Sequence, residues 1–277
     1  MGIGFRGPGS EASGFDMYYL GVDIGSLTCD AVLIDEDGWV MAWSVVPTGA
    51  SSVRAIDRVR AEVLGAAGIR SEDLGAVIST GYGRDRVDGR LAAVTEITCH
   101  ARGIQRLLPG TEMLVDIGGQ DSKAVRLDGE GRVVEFAMND KCAAGTGRFL
   151  EAMARALEVE VDQLGGLDDG ARGNLTLSSM CTVFAESEVV SLIAEGTDVS
   201  EIARGLHRAI ASRTQALVKR VDPAVSGLRV AMSGGVARNP GVVRALGAAL
   251  DCDITVPPEP DIVGALGAAL IARERAG

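Results

Sequence analysis

Residues 113–136 have the sequence MLVDIGGQDSKAVRLDGEGRVVEF, and residues 18–46 have the sequence YYLGVDIGSLTCDAVLIDEDGWVMAWSVV. Each segment contains an apolar run, a glycine turn after Asp-Ile, a second apolar run, an Asp-Gly hairpin signal and a third run. The two segments share D-I-G-[S/G], which indicates an internal repeat. A repeated three-stranded unit followed by helices predicts two lobes of one α/β design.

The remaining sequence predicts mainly helices with two further strands. The helical segments are 51–67, 96–107, 146–158, 182–195, 199–221 and 263–273; a strand is expected at 76–80, and RVAMSGGVARN at 229–239 predicts a strand, a glycine loop and a helix start. We expect residues 1–16 to be a disordered or tag-like N-terminus. The first lobe is placed at 17–110 and the second at 111–277, with the last helix a candidate to return to the first lobe.

Length and composition limit the class of protein. A chain of 277 residues suits two lobes, because single cores stop growing near 250–300 residues. A net charge of −11 argues against nucleic acid as a partner, and apolar runs are too short for a membrane span. Five cysteines without a CxxC pair argue against a disulfide framework. We therefore expect a cytoplasmic protein.

Three glycine turns each follow a predicted strand. Their sequences are DIGS at 23–26, DIGGQD at 116–121 and SGGV at 233–236. Such a turn lets backbone N–H groups approach an anion, and an Asp at a strand end can hold Mg²⁺. Each turn alone is typical of an ordinary connection. Two of them on a repeated unit, with a third downstream, predict a phosphate held from both lobes, without a P-loop sequence.

This set of turns resembles the actin, hexokinase and heat-shock chaperone superfamily. The resemblance implies an α/β fold with two ribonuclease-H-like lobes and ATP in an interlobe nucleotide cleft. It implies that Asp23 and Asp116 position Mg²⁺ and that Gln120 or Asp121 orients the attacking water, a role known in phosphoryl transfer. The residues that it assigns to the nucleotide are Gly25, Ser26, Leu27, Thr28, Gly118, Gly119, Gly234, Gly235 and Gly264.

Two cysteines occur in similar settings. Cys142 lies in NDKCAAGTGRFLE and Cys181 in SSMCTVFAESEV, each shortly before a predicted amphipathic helix. The N-terminal end of a helix favours a thiolate and an anionic cluster. Since a 4Fe–4S cluster needs four cysteines, two chains related by a two-fold axis would each supply the same pair. The alternative is that both are ordinary buried cysteines, and the two residues alone leave both interpretations open.

These two blocks, with STGYGR, ITCHARG and DIGGQDSK, resemble the activator (archerase) component of 2-hydroxyacyl-CoA dehydratases. The related ATPase subunits of benzoyl-CoA reductases share the pattern, which extends from about Tyr19 to the last helix. The resemblance implies a homodimer with one interfacial 4Fe–4S cluster, ligated by Cys142 and Cys181 of each chain. It also implies that ATP hydrolysis drives one electron, received from ferredoxin or flavodoxin, to a partner dehydratase or reductase.

One position departs from that family's pattern. The first loop there commonly continues to a Lys, whereas Asp30 occupies this position here. A negative charge near phosphates is unfavourable unless it points away or contacts the metal. We therefore expect Asp30 to affect nucleotide binding and hydrolysis more than the fold.

Two other functions remain open from the sequence. A small-molecule kinase of the same superfamily needs the nucleotide loops but no cluster, and the sequence has no clear signature of its separate substrate pocket. A non-catalytic nucleotide sensor or cluster-carrying scaffold is compatible with Asp30. Of the remaining side chains, we expect Glu96 and His100 to be a helix-stabilising pair and His207 to be structural. Cys29, Cys99 and Cys252 are expected to be core thiols.

Overall fold

The computed structural model describes residues 17–177 and 181–277, so the predicted tag-like segment 1–16 lies outside the described residues. Within them the strands are β1 (Tyr18–Ile24), β2 (Thr28–Ile34), β3 (Val40–Pro47), β4 (Leu74–Gly81), β5 (Ala92–Ala93), β6 (Met113–Ile117), β7 (Ser122–Leu127), β8 (Val133–Asn139), β9 (Val230–Ser233) and β10 (Ile254–Thr255). The helices are α1 (Ser52–Ala67), α2 (Glu96–Leu107), α3 (Gly147–Ala156), α4 (Thr182–Ala194), α5 (Val199–Val221), α6 (Pro240–Leu250) and α7 (Val263–Ala276).

The chain divides into two compact units. The first contains the described residues up to Gly110, together with Asp128–Val133 and Asp261–Gly277. The second contains Thr111–Leu127 and Val134–Pro260. The last helix, α7, therefore belongs to the first unit, although it follows the second unit in sequence.

Both units contain a five-stranded sheet of the same topology. The strand order is β3-β2-β1-β4-β5 in the first sheet and β8-β7-β6-β9-β10 in the second. In each, the leading strand pairs antiparallel with the next strand and parallel with a later strand: β1 with β2 and β4, β6 with β7 and β9. The duplicated α/β unit predicted from the repeat is therefore confirmed.

Helices cover both faces of the first sheet. Every residue of β1 is buried, as expected for a strand with helices on both faces. Leu20, Val22 and Ile24 form a core with α1 residues, whereas Tyr19 belongs to a second core formed largely by α7. The alternation of side chains along the strand thus builds two cores from one segment.

Helices α2 and α7 approach one another closely through glycine. A Cβ atom at Gly267 of α7 would clash with the carbonyl oxygen of Cys99, and one at Gly103 of α2 would clash with the carbonyl oxygen of Val263. A Cβ at Gly21 of β1 would likewise meet the backbone of α7. The position of α7 therefore depends on the absence of side chains at these three glycines.

The second unit has one large core. Strand β6 contributes Met113, Val115 and Ile117, and the helices contribute residues such as Phe149 and Met153 of α3. Helices α5 and α6 add further buried aliphatic side chains to the same cluster. The glycine turns at the ends of these strands are consequently held by a packed core.

The predicted helices are present, and α2 and α5 have the predicted bounds. Helix α5 begins after Asp198, whose side chain accepts a hydrogen bond from the Ser200 N–H. The prediction of an amphipathic helix at 182–195 is wrong in one respect. Helix α4 buries only Ala185 and Val189 and exposes apolar side chains. The hydrophobic residues of α4 therefore do not form a single face that packs against the rest of the second unit.

No helix within residues 17–177 and 181–277 is long and apolar enough to cross a membrane.

The close approach of α2 and α7 yields a first prediction. Gly267→Ala should lower the free energy of unfolding by about 3 kcal/mol, because the added methyl group overpacks a backbone contact. Gly65→Ala is the matched control, since Gly65 is also helical but has open space around it. It should raise stability by up to about 1 kcal/mol through helix propensity. Urea unfolding followed by circular dichroism measures both; equal stabilities for the two variants would contradict the role of Gly267.

Candidate functional site

The first glycine turn, between β1 and β2, is held by its own backbone. The Gly25 N–H donates to the Thr28 carbonyl oxygen at 2.9 Å, and the Thr48 hydroxyl donates to the Gly25 carbonyl oxygen at 2.9 Å. The residues of this turn that were predicted to bind the nucleotide are half-buried: Gly25, Ser26, Leu27 and Thr28. The turn is therefore a fixed backbone loop with partly accessible atoms.

Asp23 lies at the end of β1, in a space left by two glycines. It is 7% exposed. A Cβ at Gly264, at the start of α7, would clash with one Asp23 carboxylate oxygen, and a Cβ at Gly81 would clash with the other. The His100 ring also borders Gly264, and His100 Nδ1 lies 3.0 Å from the Glu96 carbonyl oxygen. The structure thus places predicted residues Asp23 and Gly264 together, with His100 beside them.

Asp30 is paired with Asp23 across β1 and β2. It is 6% exposed; its Oδ2 accepts a hydrogen bond from the Thr28 hydroxyl at 3.3 Å, while Oδ1 is buried without a hydrogen-bond partner among the described residues. Burial raises the pKa of Asp30 well above its usual range, and the carboxylates of Asp23 and Asp261 raise it further. Thr28 and His100 oppose this shift. Asp30 therefore favours its neutral form.

In the second unit, a lysine occupies the position that corresponds to Asp30. Asp116 pairs across β6 and β7 with Lys123, whose Nζ lies 3.1 Å from Asp116 Oδ2 and 2.9 Å from Asp121 Oδ2. Lys123 and Asp116 are almost fully buried. The repeat thus has an ion pair in the second unit where the first has two carboxyl groups.

The second and third glycine turns lie together in the second unit. The Ser233 hydroxyl at the end of β9 donates to Asp116 Oδ1 at 2.8 Å. Ser233 is followed by Gly234, where a Cβ would clash with the Ile117 carbonyl oxygen. The Gly234 N–H donates to the Pro260 carbonyl oxygen at 2.9 Å. The sequence-predicted residues Asp116 and Gly234 are therefore neighbours.

Hydrogen bonds join the second glycine turn to the start of α3. The N–H groups of Gly147 and Arg148 donate to the carbonyl oxygens of Gly118 and Gly119 at 2.9 and 3.0 Å. The fully buried Thr146 hydroxyl lies 2.9 Å from the Gly119 carbonyl oxygen and 2.7 Å from the Ala143 carbonyl oxygen. Carbonyls of the glycine turn thereby satisfy N–H groups that a helix start leaves unpaired.

Gln120 has an exposed side chain in this turn, and Asp121 is half-buried. Asp121 Oδ2 is held by Lys123, and its backbone carbonyl accepts the Gly118 N–H at 3.0 Å. Asp121 is therefore fixed within the turn, whereas Gln120 projects toward solvent. The assignment of Gln120 as the water-orienting residue stays a prediction.

The cysteines fall into two groups by exposure. Cys142 and Cys181 are exposed, whereas Cys29 and Cys99 are buried and Cys252 is half-buried. Burial raises the pKa of Cys99 to about 12 and also raises the pKa of Cys29 and Cys252. Those three thiols stay protonated and unreactive near neutral pH. Cys142 precedes α3, and Cys181 is the residue from which α4 begins.

Arg213 of α5 is a site residue that the sequence analysis missed. Its guanidinium carbon lies 5.7 Å from the centroid of the Phe149 ring of α3. A Cβ at Gly145, in the loop after Cys142, would lie 3.6 Å from Arg213 Cδ. Burial lowers the pKa of Arg213, and Cys142 and Cys181 both act in the opposite sense. Arg213 thus packs against Phe149 and against the loop that follows Cys142; no sequence motif indicated this.

An apolar surface follows Cys181 along α4. The side chains of Val183 and Phe184 are each 66% exposed, and Val190 is 53% exposed. Exposed apolar clusters of this kind mark interaction surfaces. The cysteine at the start of α4 is therefore next to a surface suited to cover by another protein chain.

A 4Fe–4S cluster requires four thiolate ligands. Within residues 17–177 and 181–277, no group of three or more His, Cys, Asp or Glu side chains is arranged to hold a metal. One chain offers two exposed thiols of the type that ligate iron–sulfur clusters. These residues fit half of a four-thiolate set.

A cavity of about 650 Å³ lies in the second unit, lined by residues of α5, α6 and the turn 163–170. His207 lines it; its Nδ1 lies 3.0 Å from Asp168 Oδ2, and burial lowers the pKa of His207. Arg244 donates to Asp168 at 2.6 Å. This network fixes the turn against α5, which fits the structural role expected for His207.

Comparison with known proteins relates the whole chain to one group. The model of the BadF/BadG/BcrA/BcrD ATPase family matches residues 20–272. The chain is 45% identical to the activator of lactoyl-CoA dehydratase from Anaerotignum propionicum over 265 residues, covering 94% of this chain and 99% of that protein.

Solved structures support the same relationship. The activator of the 2-hydroxyisocaproyl-CoA dehydratase from Clostridium difficile with bound ADPNP is 42% identical, with a TM-score of 0.87 over 94% of this chain and 96% of that one. A ROK family glucokinase from Streptomyces griseus matches at 18% identity and a TM-score of 0.56, over 93% of this chain and 99% of that chain. The latter likeness concerns the fold alone and confirms the predicted actin/hexokinase-type ATPase fold.

The Asp23–Asp30 pair yields a prediction about stability. Asp30→Asn should raise the free energy of unfolding at pH 8 by about 1–3 kcal/mol, because the amide cannot ionise and the variant therefore avoids the cost of burying a carboxylate or of protonating it on folding. The pKa of Asp30 is higher in the folded state than in the unfolded state, so the folded state binds more protons at a pH between the two values. The stability of the wild type therefore falls as pH rises from the unfolded-state pKa to the folded-state pKa. The advantage of Asp30→Asn should therefore be smaller at pH 5 than at pH 8.

Urea unfolding at pH 5 and at pH 8, in a buffer that contains a chelator and no nucleotide, measures this difference in the free energy of unfolding. Asp57→Asn is the matched control, because Asp57 is exposed on α1. It should change stability equally little at both pH values. Parallel pH profiles for wild type and Asp30→Asn would contradict the prediction.

Proposed function

Because this chain belongs to the BadF/BadG/BcrA/BcrD ATPase family, we propose that it is a dehydratase activator that couples ATP hydrolysis to electron delivery. The family establishes an ATPase. The proposal adds that two copies share one 4Fe–4S cluster and pass one low-potential electron to a partner 2-hydroxyacyl-CoA dehydratase. The names of relatives at 45% and 42% identity, both dehydratase activators, support this partner class.

One observation carries the proposal: the glycine turn of the predicted ATP site is hydrogen-bonded to the segment that follows Cys142. The Thr146 hydroxyl lies within hydrogen-bonding distance of the Gly119 and Ala143 carbonyl oxygens and can donate to either. Gly147 and Arg148 add backbone bonds to the same turn. A displacement of this turn by phosphate would therefore reach the Cys142 loop directly, within one unit.

The charged groups around the turns suit a nucleotide with Mg²⁺. Asp116 is already oriented by Lys123 and Ser233, and we propose that it and Asp23 position the metal, through water where the carboxylate is partly shielded. The turn at Gly118 and Gly119 would face the phosphates, as glycine turns after buried strands allow, and Gly234 and Gly235 would lie against the nucleoside. Gln120, exposed in the same turn, would orient the attacking water.

The thiol pair supports the electron-transfer part of the proposal. Cys142 and Cys181 would hold the cluster with the same two residues of a second copy, and the exposed apolar face of α4 would be covered in that homodimer. When bound, a 4Fe–4S cluster supplies a one-electron carrier whose potential depends on charge and solvent exposure. A ferredoxin or flavodoxin is the proposed electron donor, and the reducing cytoplasm is the proposed compartment.

Coupling requires two conformations that nucleotide stabilises to different extents. We propose that ATP and ADP place the second glycine turn differently and that α3, capped by this turn, moves with it. Cys142 lies only five residues before the first residue of α3, Gly147. The thiolate geometry, and with it the ease of electron release, would then depend on the nucleotide.

The two exposed thiols distinguish this function from the alternatives. A small-molecule kinase needs no such pair, and the glucokinase likeness extends to the fold alone. A non-catalytic sensor or scaffold would bind nucleotide without hydrolysis. ATP consumption that requires one added metabolite would favour a kinase. Activation of a ring-reducing partner rather than a dehydratase would assign the chain to a benzoyl-CoA-type reductase system.

A prediction follows for the ligands. Protein purified anaerobically should contain about two irons per chain, because one four-iron cluster serves two chains. Cys142→Ser and Cys181→Ser should each lose nearly all iron and acid-labile sulfide, since each removes two of four thiolates per dimer. Cys252→Ser is the control and should keep the wild-type content. A full complement in either of the first two variants would show that the ligand assignment is wrong.

A second prediction concerns coupling. Thr146→Val keeps the shape but removes the hydroxyl, and should cost about 1 kcal/mol of stability through the loss of one buried hydrogen bond, since the Gly119 and Ala143 carbonyl oxygens keep the N–H groups of Arg148 and Thr146 as donors. We expect it to retain iron and bound nucleotide but to lose the difference between the EPR spectra of the reduced ATP-analogue and ADP forms. Thr146→Ser, which retains the hydroxyl, should respond as wild type. If Thr146→Val keeps the wild-type difference between the two EPR spectra, the Thr146 hydroxyl is not needed for the coupling.

A further inference from the structure

The cavity between α5 and α6 lies outside the parts of the chain assigned to nucleotide and cluster. Its volume of about 650 Å³ is in the range of small-molecule sites, and none of its described lining residues belongs to a glycine turn or is a cysteine. His207 borders Gly241, and further along both helices Gln215 donates to the Ala249 carbonyl oxygen. The two helices therefore run in the same direction, and the cavity is a groove between them.

The lining of the groove changes along its length. Arg204 and Arg208, one turn apart on α5, line its first half together with Arg244 of α6. Ser212 and Gln215 lie further along α5. The groove thus has a cationic end and a neutral end. Small apolar side chains of both helices line the rest: Ala211, Ala245, Ala248 and Ala249.

Arg204 and Arg208 have only neutral partners. Arg204 donates to the Ala171 carbonyl oxygen, and Arg208 Nη1 lies 3.2 Å from Asn174 Oδ1. Neither guanidinium forms an ion pair with any residue in 17–177 or 181–277. Two positive charges about 6 Å apart along the helix axis therefore border the groove without a carboxylate, in a chain whose net charge is −11.

The third arginine of the groove is compensated within the chain. Arg244 Nη2 lies 2.6 Å from Asp168 Oδ1 and 2.9 Å from Asp169 Oδ1. The Asp169 side chain is 72% exposed, so solvent screens its charge. Burial lowers the pKa of His207, so this ring is neutral near neutral pH. The arginine pair on α5 therefore determines the sign of the potential at this end.

His207 adds a polar atom without a partner. It is 1% exposed and lines the groove, and its Nδ1 lies 3.0 Å from Asp168 Oδ2. Its Nε2 has no hydrogen-bond partner within the part of the chain that the structure describes. Buried polar atoms are rarely left unpaired in native proteins, so one beside a cavity indicates that a further polar group completes the site.

We propose that this groove binds a small phosphate monoester, whose phosphate accepts hydrogen bonds from Arg204 and Arg208 and whose body lies along the alanines toward Ser212. Guanidinium groups match phosphate oxygens with two parallel hydrogen bonds each. A phosphate monoester carries a charge of about −1.5 to −2 near pH 7, which balances two arginines, whereas a carboxylate balances one. The site needs neither the cluster nor a second copy of the chain.

The experiment uses the full-length protein with saturating ADP and Mg²⁺, so that the nucleotide site does not take up the probe. Isothermal titration calorimetry measures binding of glycerol 3-phosphate, and acetate is the second probe. Arg208→Gln removes one charge at an exposed position, and Arg204→Gln removes the other. Arg220→Gln is the matched control, because Arg220 is exposed on the same helix but does not line the groove.

Wild type should bind glycerol 3-phosphate with a Kd on the order of 1 mM and acetate at least tenfold more weakly. Arg208→Gln and Arg204→Gln should each weaken binding of the phosphate probe about tenfold, because each loses charged hydrogen bonds. Arg220→Gln should bind it as wild type does. All three variants should keep the wild-type affinity for ADP, and circular dichroism checks that they are folded.

Three results would overturn the proposal. The first is that wild type does not bind glycerol 3-phosphate, or that a folded Arg208→Gln protein binds it as wild type does. The second is that acetate binds as tightly as the phosphate probe, because the site would then not be built for a dianion. The third is an equal loss in Arg220→Gln, which would reflect net charge alone. None of these results bears on the thiols, so the proposed electron transfer is tested separately by its iron content.

Discussion

The hydrogen bonds between the second glycine turn and the start of α3 are the constraint on which the site depends. The first N–H groups of a helix need acceptors, and in α3 the carbonyl oxygens of Gly118 and Gly119 supply them. The buried Thr146 hydroxyl adds a bond that also includes Ala143, next to Cys142. A change in the turn therefore cannot leave the cysteine loop unaffected without breaking buried hydrogen bonds, each of which is costly to leave unmade.

The internal repeat gives two versions of one strand pair with opposite electrostatics. In the second unit Lys123 neutralises Asp116 and orients Asp121. In the first unit Asp30 faces Asp23, and burial raises the pKa of Asp30. The same backbone register thus supports a fixed ion pair in one unit and a carboxyl pair in the other. A group that favours its neutral form adds less repulsion to a bound phosphate than an ionised Asp would, which reconciles Asp30 with a nucleotide site.

The sequence predicted the parts of the fold that depend on local pattern. The repeat, the strand–glycine–strand units and the bounds of α2 and α5 follow from alternation, helix periodicity and turn residues. It did not predict the surroundings of Arg213, because the guanidinium meets the Phe149 ring only after α3 and α5 have packed. The exposed face of α4 was missed for a related reason. Periodicity assigns apolar residues to a buried face, but Val183 and Phe184 face away from their own chain.

The proposed four-thiolate site would be incomplete within one chain, and this has a physical consequence. A site with four thiolates from one chain could be covered by that chain, whereas a site divided between two copies has to lie at the surface of each. Exposure of Cys142 and Cys181, and of the apolar residues after Cys181, is then expected for the isolated chain.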